Sequence, residues 1–229
     1  MVLLLAIVNE AIVPFWFMAP IPVLIYYLLK KMLSSPNEKT RRIVILGSSM
    51  SGKTTLWNQL KDCKVGYDYN PTPGQAIIDS FKVKYKDHEV KVLATKDIGG
   101  GDAWVKFYDE LIKENGTFIY FLVDLTRLSE AKQEMRSRLQ VISKCIMDKK
   151  LNNCGLKIIA THYDEYKKIK GNEDNSLLPD QARNEVLRSL TDKKIKNCIF
   201  DIDIKRIMVA NLLDSFYINI IKREITQEG

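Results

Sequence analysis

The sequence predicts one α/β domain, a doubly wound and mostly parallel sheet with one antiparallel hairpin, preceded by an N-terminal transmembrane helix. Three observations carry this. Apolar β-branched runs alternate with amphipathic stretches from Arg41 onward, the signature of strands joined by covering helices. Two extended runs, Ala76 to Tyr85 and Glu89 to Thr95, are joined by Lys86-Asp87-His88 and make a hairpin. Ala11 to Leu29 carries no charge, and about 20 apolar residues are what a helix needs to cross a bilayer.

The N-terminal segment is a different material from the rest. Val2 to Val8 is apolar as well, interrupted by Asn9 and Glu10, and Tyr26 and Tyr27 suit a membrane interface. Lys30, Lys31, Lys39, Arg41 and Arg42 follow, so the positive-inside rule keeps the C-terminal part in the cytoplasm, at a bacterial inner membrane or, in a eukaryote, the endoplasmic reticulum. A cleaved signal peptide would have the opposite charge order. Pro14, Pro20 and Pro22 leave open a kinked, re-entrant or surface-lying segment, and a docking segment buried in the soluble domain is a further alternative. The expected organisation is therefore an anchor at 1–31, a linker at 32–40 and one domain at 41–229.

Of the 229 residues, 35 are Lys or Arg and 28 are Asp or Glu, giving a net charge of +7. The basic residues are scattered through helices that also carry acids, and no basic run is interleaved with aromatics, so nucleic acid is not an expected partner. Cys63, Cys145, Cys154 and Cys198 show no C-x-x-C spacing, which favours free thiols in a reducing compartment over disulfides or zinc.

The elements follow in order. Arg42 to Leu46 is a buried strand, and Thr55 to Leu60 continues at helical spacing. Lys64 to Gly74 is polar and turn-rich, and the hairpin comes next. Trp104, Val105, Tyr108, Leu111 and Ile112 recur at helical spacing up to a stop at Asn115-Gly116. Thr117 to Asp124 is apolar on both faces, as a central parallel strand should be. Met135, Leu139, Ile142 and Ile146 mark a long amphipathic helix, and Leu156 to Ala160 another short strand. Lys167 to Pro179 is a polar excursion and Asp180 to Leu190 a helix. Cys198 to Ile204 and Ile207 to Ala210 supply one broken or two short strands, and Leu212, Phe216 and Ile220 mark a closing helix.

Between the first strand and first helix lies Gly47-Ser48-Ser49-Met50-Ser51-Gly52-Lys53-Thr54-Thr55, which fits G-x-x-x-x-G-K-[ST] in the strand-loop-helix context that a phosphate-binding loop requires. Backbone N–H groups wrap a polyphosphate at the positive end of a helix, where Cβ atoms at Gly47 and Gly52 would obstruct. Lys53 would reach the β- and γ-phosphates and the Thr54 hydroxyl would ligate Mg²⁺. The expected fold is thus of the P-loop NTPase kind. Asp97, at a strand end, can hold Mg²⁺ through water, Gly100 offers a backbone N–H to a γ-phosphate, and Thr72 can add a second hydroxyl to the metal.

Taken together the set resembles the small GTPases of the Ras superfamily. Gly47 to Thr54 matches the first box, Thr72 the switch I threonine, Asp97 to Gly100 the D-x-G-G form, Thr161 to Asp164 the base box and Val209-Ala210-Asn211 the last. The D-x-G-G form is most similar to the Arf branch, which includes the β-subunit of the signal-recognition-particle receptor, whose membrane span followed by a GTPase domain has the same layout. The resemblance implies guanine recognition by Asp164, with Thr161, His162, Ala210 and Asn211 around the base. It implies GTP or GDP with Mg²⁺ as ligands, Lys53, Thr72 and Gly100 acting on the phosphates, and a protein effector or activating partner at the switches, for which Trp104 is the candidate anchor if it is not a core residue.

Two departures bear on activity. His162 stands where the family has Lys, and Gly101 where it has the Gln that orients the attacking water. Glycine cannot position a water, so hydrolysis is expected to be slow. The alternatives are a receptor or scaffold subunit that holds nucleotide without cycling, and an ATP-using P-loop protein, which Asp164 argues against.

Overall fold

The computed structural model describes residues 39–65, 74–171, 178–190, 200 and 202–227. Its strands are β1 (Thr40–Gly47), β2 (Gln75–Ile78), β3 (Phe81–Tyr85), β4 (His88–Val92), β5 (Thr95–Ile98), β6 (Thr117–Asp124), β7 (Gly155–Thr161) and β8 (Ile207–Val209). Its helices are α1 (Lys53–Leu60), α2 (Tyr108–Leu111), α3 (Leu128–Asp148), α4 (Tyr163–Lys170), α5 (Leu178–Leu190) and α6 (Ser215–Gln227). Six strands form one sheet in the order β3-β4-β1-β6-β7-β8, parallel except for the β3–β4 hairpin.

Both faces of this sheet are covered, and the strand sequences show why. In β1 Val44 and Leu46 enter one apolar cluster and Ile43 and Ile45 the other, and in β6 Phe121 and Val123 oppose Tyr120 and Leu122. Such runs without alternation in polarity suit strands buried on two sides. α3 and α5 close the first face with Met135, Leu139, Ile142, Ala182 and Val186, and α1 and α6 the second with Leu56, Trp57, Ile218 and Ile221. Each large side chain so buried contributes about 1.5–3 kcal/mol. The parallel register sets Gly47 beside Leu122 and Asp124 beside Thr161, so the polar ends of β1, β6 and β7 meet at one edge.

Four expectations need correction. The hairpin forms between β3 and β4, but the outer parts of its two expected strands separate from it: β2 and β5 pair with each other in a second, two-stranded sheet, and β5 carries Asp97 next to its end at Ile98. The helix expected from Trp104 to Ile112 is a 3-10 stretch over Asp102–Phe107 followed by the single turn of α2. None of Asp102–Phe107 is fully buried, and only Trp104 and Val105 pack against the core from its edge, too little apolar contact to hold a longer α-helix. The expected polar excursion from Lys167 is helical as far as Lys170. At the C-terminus, Asp214 accepts from Phe216 N at 2.9 Å and starts α6 there, so its buried face is Ile218, Ile221 and Ile225, while Phe216 is exposed.

Among the described residues no helix is long and apolar enough to cross a membrane. The expected transmembrane segment at 1–31, most of the linker, Thr72 and Cys198 lie outside the described residues.

Candidate functional site

The phosphate-binding loop takes its shape from backbone conformations few residues tolerate. Gly47 has φ 144° and Gly52 φ 87°, and a Cβ on Gly47 would lie 2.4 Å from Leu122 O. Met50 holds φ 63° without being glycine, a left-handed conformation costing about 1 kcal/mol and typical of sites shaped for a ligand. The loop closes on the Ser48 carbonyl, which accepts from Ser51 Oγ at 2.8 Å and from Lys53 Nζ at 2.7 Å. Lys53 is buried, and loss of hydration pushes its ammonium down to about 8 despite nearby Asp97. Ser49, Met50 and Thr54 are exposed at the loop mouth and Thr55 is half-buried.

At the start of α1 the Thr54 hydroxyl donates to Asp97 Oδ2 at 2.6 Å, and Asp97 is 1% exposed. A hydroxyl and a carboxylate side by side are hard oxygen donors of the kind Mg²⁺ takes when phosphates complete its shell, so the donor set fits that ion. Next along the chain, the Gly99–Gly101 backbone presses against the loop: a Cβ on Gly100 would lie 2.2 Å from Ser49 N and 2.4 Å from Ser48 C. Trp104 seals the other side of this segment. A Cβ at Gly99 would lie 2.5 Å from the indole Nε1, one at Gly74 3.1 Å from the ring, and Trp104 stacks on Phe107 with ring centroids 5.5 Å apart. Half-buried, it packs against the core while lying beside the Gly99–Gly101 segment.

The base box is tied to the same loop. Thr161 Oγ1 donates within reach of Ser51 O at 3.1 Å and Val123 O at 3.2 Å. Tyr163 N reaches Ala210 O at 3.4 Å, and Asn211 Oδ1 accepts from Leu213 N at 2.9 Å, which brings the last box alongside. Asp164 sits half-exposed in the first turn of α4. His162 turns toward Asp124 instead of outward: its Nδ1 lies 3.3 Å from Asp124 Oδ1, and the residue itself is left-handed at φ 57°.

The Asp124 hydrogen bond raises His162 above its ordinary 6.5, against the opposing effect of burial. Burial would raise Asp124, but hydrogen bonds from His162 and Thr126 outweigh it and hold the carboxyl below its ordinary value. The pair therefore contributes fully below pH 6.5, once Asp124 is ionised, and its contribution fades as pH rises through the raised His162 value. His162→Gln is expected to flatten the fall in stability as pH rises from 6.5 through the raised His162 value, a difference of about 0.5–1 kcal/mol. Urea unfolding of both proteins across that range checks it, and an unchanged pH slope counts against the pairing.

A family model described as the ADP-ribosylation factor family matches residues 25–208. The chain belongs to that family. Human ADP-ribosylation factor-like protein 9 is 30% identical over 101 residues, 43% of this chain and 50% of the relative, so the chain spans about half the length of the curated relative it matches. Among solved structures, the GDP-bound Roco2 RocCORdC of Methanosarcina barkeri aligns with a TM-score of 0.50 at 16% identity over 83% of this chain and 49% of that one. At that identity the likeness speaks for the α/β fold alone.

Within this Arf-family domain, three contributors went unnoticed in the sequence. Asp124 ends β6 and accepts from Thr126 N and Oγ1 at 2.9 and 2.7 Å, an Asx-turn signal readable as Asp-x-Thr after an apolar strand. Leu212 packs on the loop, its Cδ1 2.8 Å from where a Cβ on Gly52 would stand. Arg138, 1% exposed, reaches Gly47 O, and its signal was a charge on the stripe of Met135, Leu139 and Ile142. Ser48, Ser49, Gly101, Asp102, Asp124 and Arg127 line a cavity of about 240 Å³ beside the loop.

Proposed function

We propose that this chain is a membrane-anchored, cytosol-facing switch that binds GTP or GDP with Mg²⁺ and hydrolyses GTP slowly. The observation that carries the reading is the meeting of four motif pieces at one loop: Lys53 on Ser48 O, Thr54 on Asp97, Gly100 against Ser49 and Thr161 on Ser51 O. Lys53 and the loop amides would hold the phosphates, Thr54 and Asp97 the Mg²⁺, which would neutralise phosphate charge, and Asp164 the guanine N1–H and amine. Thr72 would complete the metal's shell. Effectors would read the Gly99–Trp104 segment. The anchor is the uncharged stretch Ala11 to Leu29 with its basic flank.

The slow rate follows from Gly101, and the carboxylate of Asp102, the adjacent candidate to replace the missing group, accepts from Arg138 at 3.2 Å instead. That same observation favours one second reading, a receptor subunit that holds nucleotide without cycling. Mant-GDP is expected to bind the full chain in detergent far more tightly than mant-ATP, with Asp164→Ala erasing most of that preference. Equal binding of the two overturns the guanine reading. Radiolabelled GTP turnover with and without lysate separates switch from static subunit, and carbonate extraction that releases the full chain overturns the anchor.

A further inference from the structure

Arg138 lies in the middle of α3, buried to 1% exposure, where an unpaired charge would be costly. Its guanidinium donates to Gly47 O at 2.9 Å and to Asp102 Oδ1 at 3.2 Å, and it pairs with Glu134 one turn earlier on its own helix. Two of those partners belong to different parts of the proposed site. Gly47 is the first residue of the phosphate-binding loop, and Asp102 follows directly on the Gly99–Gly101 segment that abuts Ser48 and Ser49. The guanidinium therefore links the first residue of the loop to the residue that follows the segment. Its planar fork can bond two acceptors in fixed directions, which a lysine ammonium on a flexible stem does not.

We propose that Arg138 is a positioning residue of the nucleotide site: one buried guanidinium fixes the carbonyl that starts the phosphate-binding loop and the carboxylate that follows the γ-phosphate-facing segment. The inference rests on the nucleotide reading above and deepens it. The two arms have different consequences. The Gly47 arm shapes the loop for any nucleotide, whereas the Asp102 arm, whose carboxylate is 89% exposed and hence weakly held, bears only on the segment a third phosphate would touch.

Stopped-flow release of mant-GDP and of the non-hydrolysable mant-GTP analogue tests this without depending on hydrolysis. Arg138→Met is expected to speed release of both, by about tenfold, and Arg138→Lys to recover part of that loss. Asp102→Asn is expected to leave mant-GDP release within about twofold while speeding release of the triphosphate about threefold. The double variant should release the triphosphate no faster than Arg138→Met alone, because Arg138→Met already removes the pair that Asp102→Asn weakens. Unchanged release from a folded Arg138→Met protein overturns the inference, as does an Asp102→Asn effect equal for both nucleotides or one that multiplies with Arg138→Met. Failure of the parent chain to bind mant-GDP instead overturns the nucleotide reading, and the inference with it.

Discussion

Lys53→Ala is expected to weaken mant-GDP binding by at least about a hundredfold while leaving the domain folded. The ammonium is buried at the head of α1 and held 2.7 Å from Ser48 O, so it waits inside the loop that phosphates would enter. Loss of hydration has already brought it down to about 8, the mark of a cation that gains by meeting an anion. A charge-assisted hydrogen bond contributes about 1.5–3 kcal/mol, and 1.4 kcal/mol is tenfold in affinity, so the bond and the accompanying Coulomb attraction reach a hundredfold together. Folding should hardly notice. Ser48 O still accepts from Ser51 Oγ at 2.8 Å, so no carbonyl is orphaned, and a desolvated charge is removed. Fluorescence titration with mant-GDP, alongside thermal unfolding, checks both halves. Undiminished affinity in the folded variant would place the nucleotide somewhere other than this loop.

That prediction could be written from the sequence, because local rules alone make a phosphate-binding loop: two glycines where Cβ atoms collide, a lysine and a hydroxyl at the start of a helix. The central strand over Thr117 to Asp124 was equally legible, since a run apolar on both faces has few other homes. Sequence reasoning failed where tertiary contacts overrule period. Phe216 fits the helical spacing of Leu212 and Ile220, yet Asp214 caps α6 and turns Phe216 to solvent, leaving Leu212 free to cover Gly52. Trp104 keeps its place by lying on Gly99 and Gly74, contacts far apart along the chain that no periodicity encodes. His162 is the sharpest case. Its position in the base box suggests a ring along the purine, and only the register that sets Asp124 beside Thr161 shows that a carboxylate is within its reach.

Gly100→Ala separates the diphosphate from the triphosphate state. A methyl group there would meet Ser49 N at 2.2 Å, and Ser48 C and Ser49 Cα at 2.4 Å, all of them backbone, so no side-chain rotation relieves the clash. The segment must withdraw by about 1 Å to restore van der Waals contact. It cannot simply slide back, because Gly99 N donates to Gly74 O at 2.9 Å and the Trp104 indole lies against Gly99 on the far side. Relief therefore has to displace the tryptophan, at a cost of about 1–3 kcal/mol, comparable to overpacking a core. In the proposed site, diphosphate binding would depend on the loop and on Lys53, which this change leaves in place. In the proposed site the triphosphate alone would call on the Gly100 N–H, so its affinity is expected to fall about a hundredfold while that for mant-GDP stays within a few-fold, since a group misplaced by 1 Å loses most of its contribution. Parallel titrations with mant-GDP and the non-hydrolysable mant-GTP analogue measure the split, and a shift in tryptophan emission reports the displaced indole. If both nucleotides bind the variant as they bind the parent, the segment after Asp97 does not sense the third phosphate, and the chain holds nucleotide without being switched by it.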